Sequence, residues 1–289
     1  MSLMFKFLWF QMEKGLQIFD ISQLEKIDIN CYDFIVLWAE TCIFKLKFEK
    51  NKKEEFLNNF ELLRLREILN GKTLVYVTSL LPEYVRKKYL TFLENLIKIL
   101  WEKDIEITIN DWWIYKWLQN NNLVWTLKLN IWTNLYYHVK DPYAVYYREK
   151  FRYISIDKEF YNKFFKDKWF NWYLEVYYPL QGLEIRSLDY PISLYYPFVQ
   201  YSFTRACPWS LKKWWEKVSR LILSCWGCPK DYYTGIVKQT LKWKDLNLES
   251  NYVPNAQYYS IEKFYTLDAI KKSLKVDRVV YNYNLVCNS

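Results

Sequence analysis

The sequence predicts one α/β domain over residues 1–289, a TIM-barrel-like (β/α)8 fold that is incomplete or distorted in places. Three observations carry this expectation. Short apolar, β-branched or aromatic runs recur along the whole chain, and helix-period patterns lie between most of them. No Pro-, Gly- or Ser-rich linker divides the series. Strands that alternate with helices pair in parallel through crossovers, and about eight such steps make a barrel of this length.

The elements follow in order. The start, MSLMFKFLWFQMEKG, is apolar, but Lys6 interrupts it and no small-residue cleavage site follows, so Leu3–Phe10 reads as a first strand. Phe34–Trp38 and Thr73–Thr78 are the next strands, and between them Glu55–Asn70 reads as a helix that Gly71 stops. Pro82–Trp101 is a second helix, ahead of the strand Ile105–Ile109. Asp111–Gln119 is a third, with Asp111 as its cap or as a residue at a site mouth. Leu123–Leu129 and Arg152–Ile156 read as strands, and Asp157–Lys168 as a helix capped by Asp157. Trp172–Tyr178 and Leu194–Tyr201 are strands, Lys212–Leu223 and Ile261–Leu274 helices, and Arg278–Tyr283 the last strand. In KKWWEKVSRLIL, Trp214, Trp215, Val218, Leu221 and Ile222 share one face, which suits core packing first and a partner or lipid-like substrate second.

Composition removes several function classes. With 5 glycines and neither a G-x-G-x-x-G nor a P-loop, the chain has no phosphate-cradling loop, so no nucleotide cofactor is expected. The single histidine, His138, leaves Ser-His-Asp, Cys-His and His-rich zinc chemistry hanging on one residue, and reads as structural or surface. Basic residues outnumber acidic ones by 41 to 32, which suits RNA, an anionic surface or an acidic substrate. They are spread out, however, and the densest run, Lys45–Lys53, meets Glu54 and Glu55 at once, as a solvated segment does. No uncharged apolar stretch reaches the ~18 residues of a membrane helix, so the expectation is a cytoplasmic protein without a membrane span.

Six cysteines stand at 31, 42, 207, 225, 228 and 287. Clustered cysteines in a reducing compartment more often bind metal or do redox work than form disulfides. Cys225-Trp-Gly-Cys228 is a C-x-x-C, Cys207 precedes it, and Cys42 follows a predicted strand end. Pro208 and Pro229 stiffen the chain beside these thiols. A structural zinc site usually shows two short knuckles, and a redox dithiol opens a helix in a βαβ unit. Spacing alone leaves four readings: an iron–sulfur cluster, zinc, a redox pair or inert thiols.

Four segments resemble the collagenase-like peptidase family (peptidase family U-32). Asp33–Cys42, DFIVLWAETC, is similar to the first-strand motif of its small cluster-binding members, with Glu40 two residues before Cys42. Ile105–Leu118, IEITINDWWIYKWL, is similar to the strand-then-Asp segment. Phe198–Cys207, FVQYSFTRAC, resembles the arginine-cysteine motif, with Arg205 one residue further from Cys207 than is usual. Cys225 and Cys228 match the downstream pair, spaced one residue closer. One early and three late cysteines resemble the subgroup that acts in oxygen-independent ubiquinone biosynthesis.

The resemblance implies a 4Fe-4S cluster on Cys42, Cys207, Cys225 and Cys228, with Cys287 as the reserve for Cys42 and Cys31 outside the set. It implies a barrel fold and a second member of the same family as partner subunit. Arg205 would offset cluster charge and Glu40 would support the site or move protons. The implied function is an oxygen-independent hydroxylation of a ubiquinone precursor, with the chain as catalytic or accessory subunit. Hydroxylation of RNA bases is the alternative, and peptidase activity, by the family's label, comes last because no nucleophile–base pair is recognisable.

Overall fold

The computed structural model describes residues 12–18, 21–38, 57–78, 86–100, 105–132, 154–155, 163, 166–167, 172–178, 183–184, 190–203, 237–243, 246–253 and 256–282. Eight parallel strands close into a barrel. In chain order they are β1 (Glu13–Ile18), β2 (Phe34–Trp38), β3 (Thr73–Val77), β4 (Ile105–Ile109) and β5 (Lys128–Ile131). After the two-residue β6 (Ile154–Ser155) come β7 (Leu174–Tyr177), the two-residue β8 (Leu183–Glu184) and β9 (Ile192–Tyr195). The last barrel strand is β14 (Arg278–Asn282), which sits between β9 and β1 and closes the ring. Following the paired residues once around from Glu106 returns to β4 eight residues earlier in the sequence. That stagger is the shear of 8 that defines a TIM (β/α)8 barrel.

Helices α1 (Asn59–Leu69), α2 (Arg86–Ile99) and α3 (Trp112–Asn120) connect β2 to β5, and α4 (Leu267–Ser273) leads into β14. Each begins or ends for a local reason. Asn58 and Glu61 form a reciprocal capping box on α1, whose far end turns at Asn70 and Gly71, both left-handed. Thr266 caps α4 through the amide of Ala269. Outward strand residues meet the helices: Tyr76 of β3 donates its hydroxyl proton to Tyr89 of α2 at 3.2 Å, with Phe92 packed edge-on against Tyr76.

Between β9 and α4 the chain builds a four-stranded antiparallel sheet of β10 (Phe198–Phe203), β11 (Val237–Trp243), β12 (Leu246–Val253) and β13 (Ala256–Ser260), in the order β10-β13-β12-β11. It is an insertion in the connection that leaves the carboxyl end of β9. The sequence reading missed it because VKQTLKW and LNLESNYV alternate polar and apolar residues without a compact apolar run.

Other boundaries differ for identifiable causes. The strand predicted over Leu194–Tyr201 is two strands in two sheets, since Pro197 has no N–H to carry a ladder through. The run Leu123–Leu129 spends its first residues on a 3₁₀ turn, Leu123–Trp125, entered through a left-handed Asn122, before β5 begins. The helix predicted over Ile261–Leu274 starts only after the Thr266 cap. Leu3–Phe10, Lys212–Leu223 and nearly all of Asp157–Lys168 lie outside the described residues. The first described strand is instead Glu13–Ile18, whose Gly15 is required: a Cβ there would stand 2.2 Å from Cε2 of the buried Phe34 ring. Gly15→Val should therefore lower the urea midpoint with an unchanged m-value, by about 1–3 kcal/mol of stability from overpacking. Equilibrium denaturation followed by far-UV circular dichroism measures it.

Candidate functional site

Inside a closed barrel the residues that face inward alternate with those that face the helices, and side chains from alternate strands meet in tiers of four. Here the register assigns Phe34, Glu106, Tyr173 and Arg278 to the tier at the amino-terminal end. Above it lie Gly15, Val75, Asn130 and Ser193, then Val36, Thr108, Glu175 and Val280. Gln17, Val77, Trp132 and Tyr195 form the fourth, and Asn110, Tyr177 and Asn282 belong to the tier at the carboxyl end. The interior is far more polar than the branched apolar filling usual for this fold, and Glu106, Thr108, Asn130, Glu175, Ser193 and Arg278 are all buried.

The lower tiers hold an ionic centre. Arg278 Nη1 donates to Glu106 Oε2 at 2.8 Å and Nη2 to Glu175 Oε1 at 2.8 Å, all three residues lying out of solvent. Glu106 is further held by Trp172 Nε1 at 2.9 Å and by Asn130 Nδ2 at 3.0 Å. Asn130 also donates to Thr108 Oγ1 and accepts from the Tyr173 amide, so both ends of its amide are engaged. The guanidinium lies 3.6 Å from the ring centroid of Tyr173 and 4.5 Å from that of Phe34. Burial works against the Arg278 charge, but Glu106 and Glu175 outweigh it and hold its pKa above the ordinary value. Burial raises the Glu175 carboxyl above its usual range, and Arg278 offsets only part of that. The same burial, tempered by Arg278, pushes the Tyr173 hydroxyl up to about 12. In TIM barrels chemistry sits at the carboxyl face and the opposite end serves stability, so this centre is a structural plug.

The carboxyl face has a different character. Trp132, Tyr177 and Tyr195 form a buried aromatic cluster, Trp132 edge-to-face with Tyr177 at 5.7 Å between centroids and with Tyr195 at 5.1 Å, and the two tyrosines tilted at 5.3 Å. Beside it Asn282 Nδ2 donates to Gln17 Oε1 at 3.1 Å, both residues being buried. No described side chain of these two upper tiers carries a charge. The described side chains of this face offer hydrogen bonds and ring contacts.

Of the predicted site residues, Cys42, Cys207, Cys225, Cys228, Cys287, Glu40, Arg205 and His138 lie outside the described residues. Cys31 is exposed on a 3₁₀ turn, its thiol 3.7 Å from Asp28 Oδ2. Asp111 is the cap of α3, its Oδ1 accepting from the Trp113 amide at 3.3 Å. Among the described residues no group of three or more His, Cys, Asp and Glu stands together to hold a metal ion, and no helix is long and apolar enough to cross a membrane. The polar interior went unread because alternation as in Ile-Glu-Ile-Thr-Ile normally means a strand with one wet face. In this barrel the helices cover the apolar face, and Glu106 and Thr108 point inward.

Two outcomes follow from the ionic centre. Arg278→Met should destabilise the fold by about 3–5 kcal/mol, because it strands two buried carboxylates, and adding Glu106→Gln with Glu175→Gln should restore part of the loss in urea denaturation. Since the folded pKa of Glu175 is raised, the native state binds its proton more tightly than the unfolded chain. The wild type should thus lose stability relative to Glu175→Gln as pH rises from the ordinary carboxylate range through the raised value. Denaturation midpoints of both proteins across a pH series give the comparison.

Neither protein-family models nor curated proteins nor solved structures give a match to this chain, so its fold rests on its own strand order and stagger.

Proposed function

We propose that this chain is an iron–sulfur protein that carries a 4Fe-4S cluster on Cys42, Cys207, Cys225 and Cys228 and acts in an oxygen-independent hydroxylation of a ubiquinone precursor, beside a related barrel subunit. One observation carries the proposal. Both segments that bear these cysteines leave the barrel from its carboxyl face. Cys42 follows β2, which ends at Trp38, and the three late cysteines fall between β10 and β11, in the insertion that departs from the end of β9. Only β1 and β14 separate β2 from β9 around the ring. Cys287, the reserve ligand, follows β14 in the sequence, and β14 also ends at the carboxyl face.

Four thiolates are the soft ligands such a cluster takes, and a fully ligated cluster supplies electrons rather than an open iron. With no glycine loop for a nucleotide, the electrons come from a partner, which is the part a second family member would play. The +9 charge favours RNA as the alternative substrate.

Anaerobically purified protein should contain iron and acid-labile sulfide in matching amounts. Cys42→Ala, Cys207→Ala, Cys225→Ala and Cys228→Ala should each lose cluster, and Cys31→Ala should keep it. Stoichiometric zinc without sulfide after anaerobic reconstitution would overturn the proposal, and loss on Cys287→Ala with retention on Cys42→Ala would reassign the fourth ligand. In anaerobic deletion strains, quinone content and RNA hydroxylation measured in parallel decide the substrate: falling quinones support the first reading, and loss of the RNA mark alone transfers the assignment to RNA.

A further inference from the structure

The buried amides of this barrel differ in how completely they are used. Asn130, in the lower tiers, has its nitrogen donating to Glu106 and Thr108 and its oxygen accepting from Tyr173. At the carboxyl face Gln17 and Asn282 share one hydrogen bond, and then Gln17 Nε2 and Asn282 Oδ1 have no partner among the described residues. The two residues are only 2% and 3% exposed, so water does not take the partner's place freely. On the sheet inserted after β9, the fully buried Gln200 likewise has neither amide atom partnered among the described residues.

The inventory does not depend on which way the amides are turned. Two carboxamides joined by a single hydrogen bond always leave one NH2 group and one C=O group unused between them, whichever way both are turned. An unpaired buried polar atom is unfavourable in the free protein and calls for an explanation, and a few convergent polar groups in an apolar site are what fixes a small ligand. The donor and acceptor stand on adjacent strands, Gln17 pairing with Asn282 in the register of β1 and β14, at the face where ligands enter this fold.

From this pair we infer a binding site for a neutral, planar ring whose edge presents a hydrogen-bond acceptor next to a donor, as in a lactam. Gln17 Nε2 donates to the ligand carbonyl, and Asn282 Oδ1 accepts from the ligand N–H. The ring adds to the aromatic cluster of Trp132, Tyr177 and Tyr195, which belongs to the same two tiers as Gln17 and Asn282. A charged ligand is disfavoured, because no described side chain of the upper tiers offers a counter-charge. The inference uses none of the cysteines and stands or falls apart from the cluster.

2-Pyridone is the smallest probe with such an edge, and N-methyl-2-pyridone keeps the ring and carbonyl but lacks the donor. Saturation-transfer NMR and equilibrium dialysis on the full chain should show 2-pyridone binding, the N-methyl compound weaker by about tenfold or more, and benzoate weaker still. Gln17→Leu and Asn282→Leu should each weaken 2-pyridone by a similar factor. The double variant should unfold at a higher urea concentration than the wild type, because both unpaired groups are gone. Equal binding of the two pyridones, or no binding of either, overturns the inference on the wild-type protein alone. A double variant less stable than the wild type would make the amide pair a structural bond and overturn it independently.

Discussion

The guanidinium of Arg278, clasped between Glu106 and Glu175 inside the barrel, sets conditions that much of the interior obeys. A charge without solvent must be surrounded by acceptors and polarizable surface, and this one has a carboxylate on two sides and a ring above and below. The group is large, and the tier above it includes two small residues, Gly15 and Ser193. Gly15 and Ser193 leave the space through which Nη2 reaches Glu175. Gly15 also admits the Phe34 ring that lies against the guanidinium. The centre carries two carboxylates against one guanidinium, and it is burial, only partly offset by Arg278, that raises the Glu175 carboxyl.

The two ends of the barrel divide their polarity accordingly. At the amino-terminal end the polar groups are chiefly charged and densely cross-linked, with Asn130 and Trp172 adding donors to Glu106. At the carboxyl end they are neutral amides and aromatic rings, and Gln17 and Asn282 meet only each other. A cross-linked ionic base beneath a neutral face of amides and rings is how a scaffold holds a binding surface without collapsing onto it.

The fold class was legible from Phe34–Trp38, Thr73–Val77 and Ile105–Ile109, whose apolar runs and flanking helices behave as a parallel barrel requires. The cap of α3 at Asp111 and the stop at Gly71 were legible too, since capping depends on a few neighbouring atoms. The inserted sheet was not, because its strands have no apolar run and its pairing is decided by partners far along the chain. Nor was the ionic centre, whose members come from β4, β7 and β14 and are separated by as many as 172 positions. Composition marks residues such as Glu175 as surface; only closure of the ring puts them inside. The cysteines that carry the functional proposal were legible as a pattern, and their arrangement lies outside the described residues.

The strand that supplies Arg278 is also the strand that closes the ring, and it is the last of the barrel to be synthesised. Until it emerges from the ribosome, β1 and β9 present open edges, and Glu106 and Glu175 stay hydrated because their counter-charge does not yet exist. A nascent chain of this protein therefore cannot form its barrel strand by strand. Long-range closure of this kind is slow and exposes unpaired edges to aggregation. The late delivery of one arginine leaves two carboxylates without their counter-charge until the last barrel strand is in place.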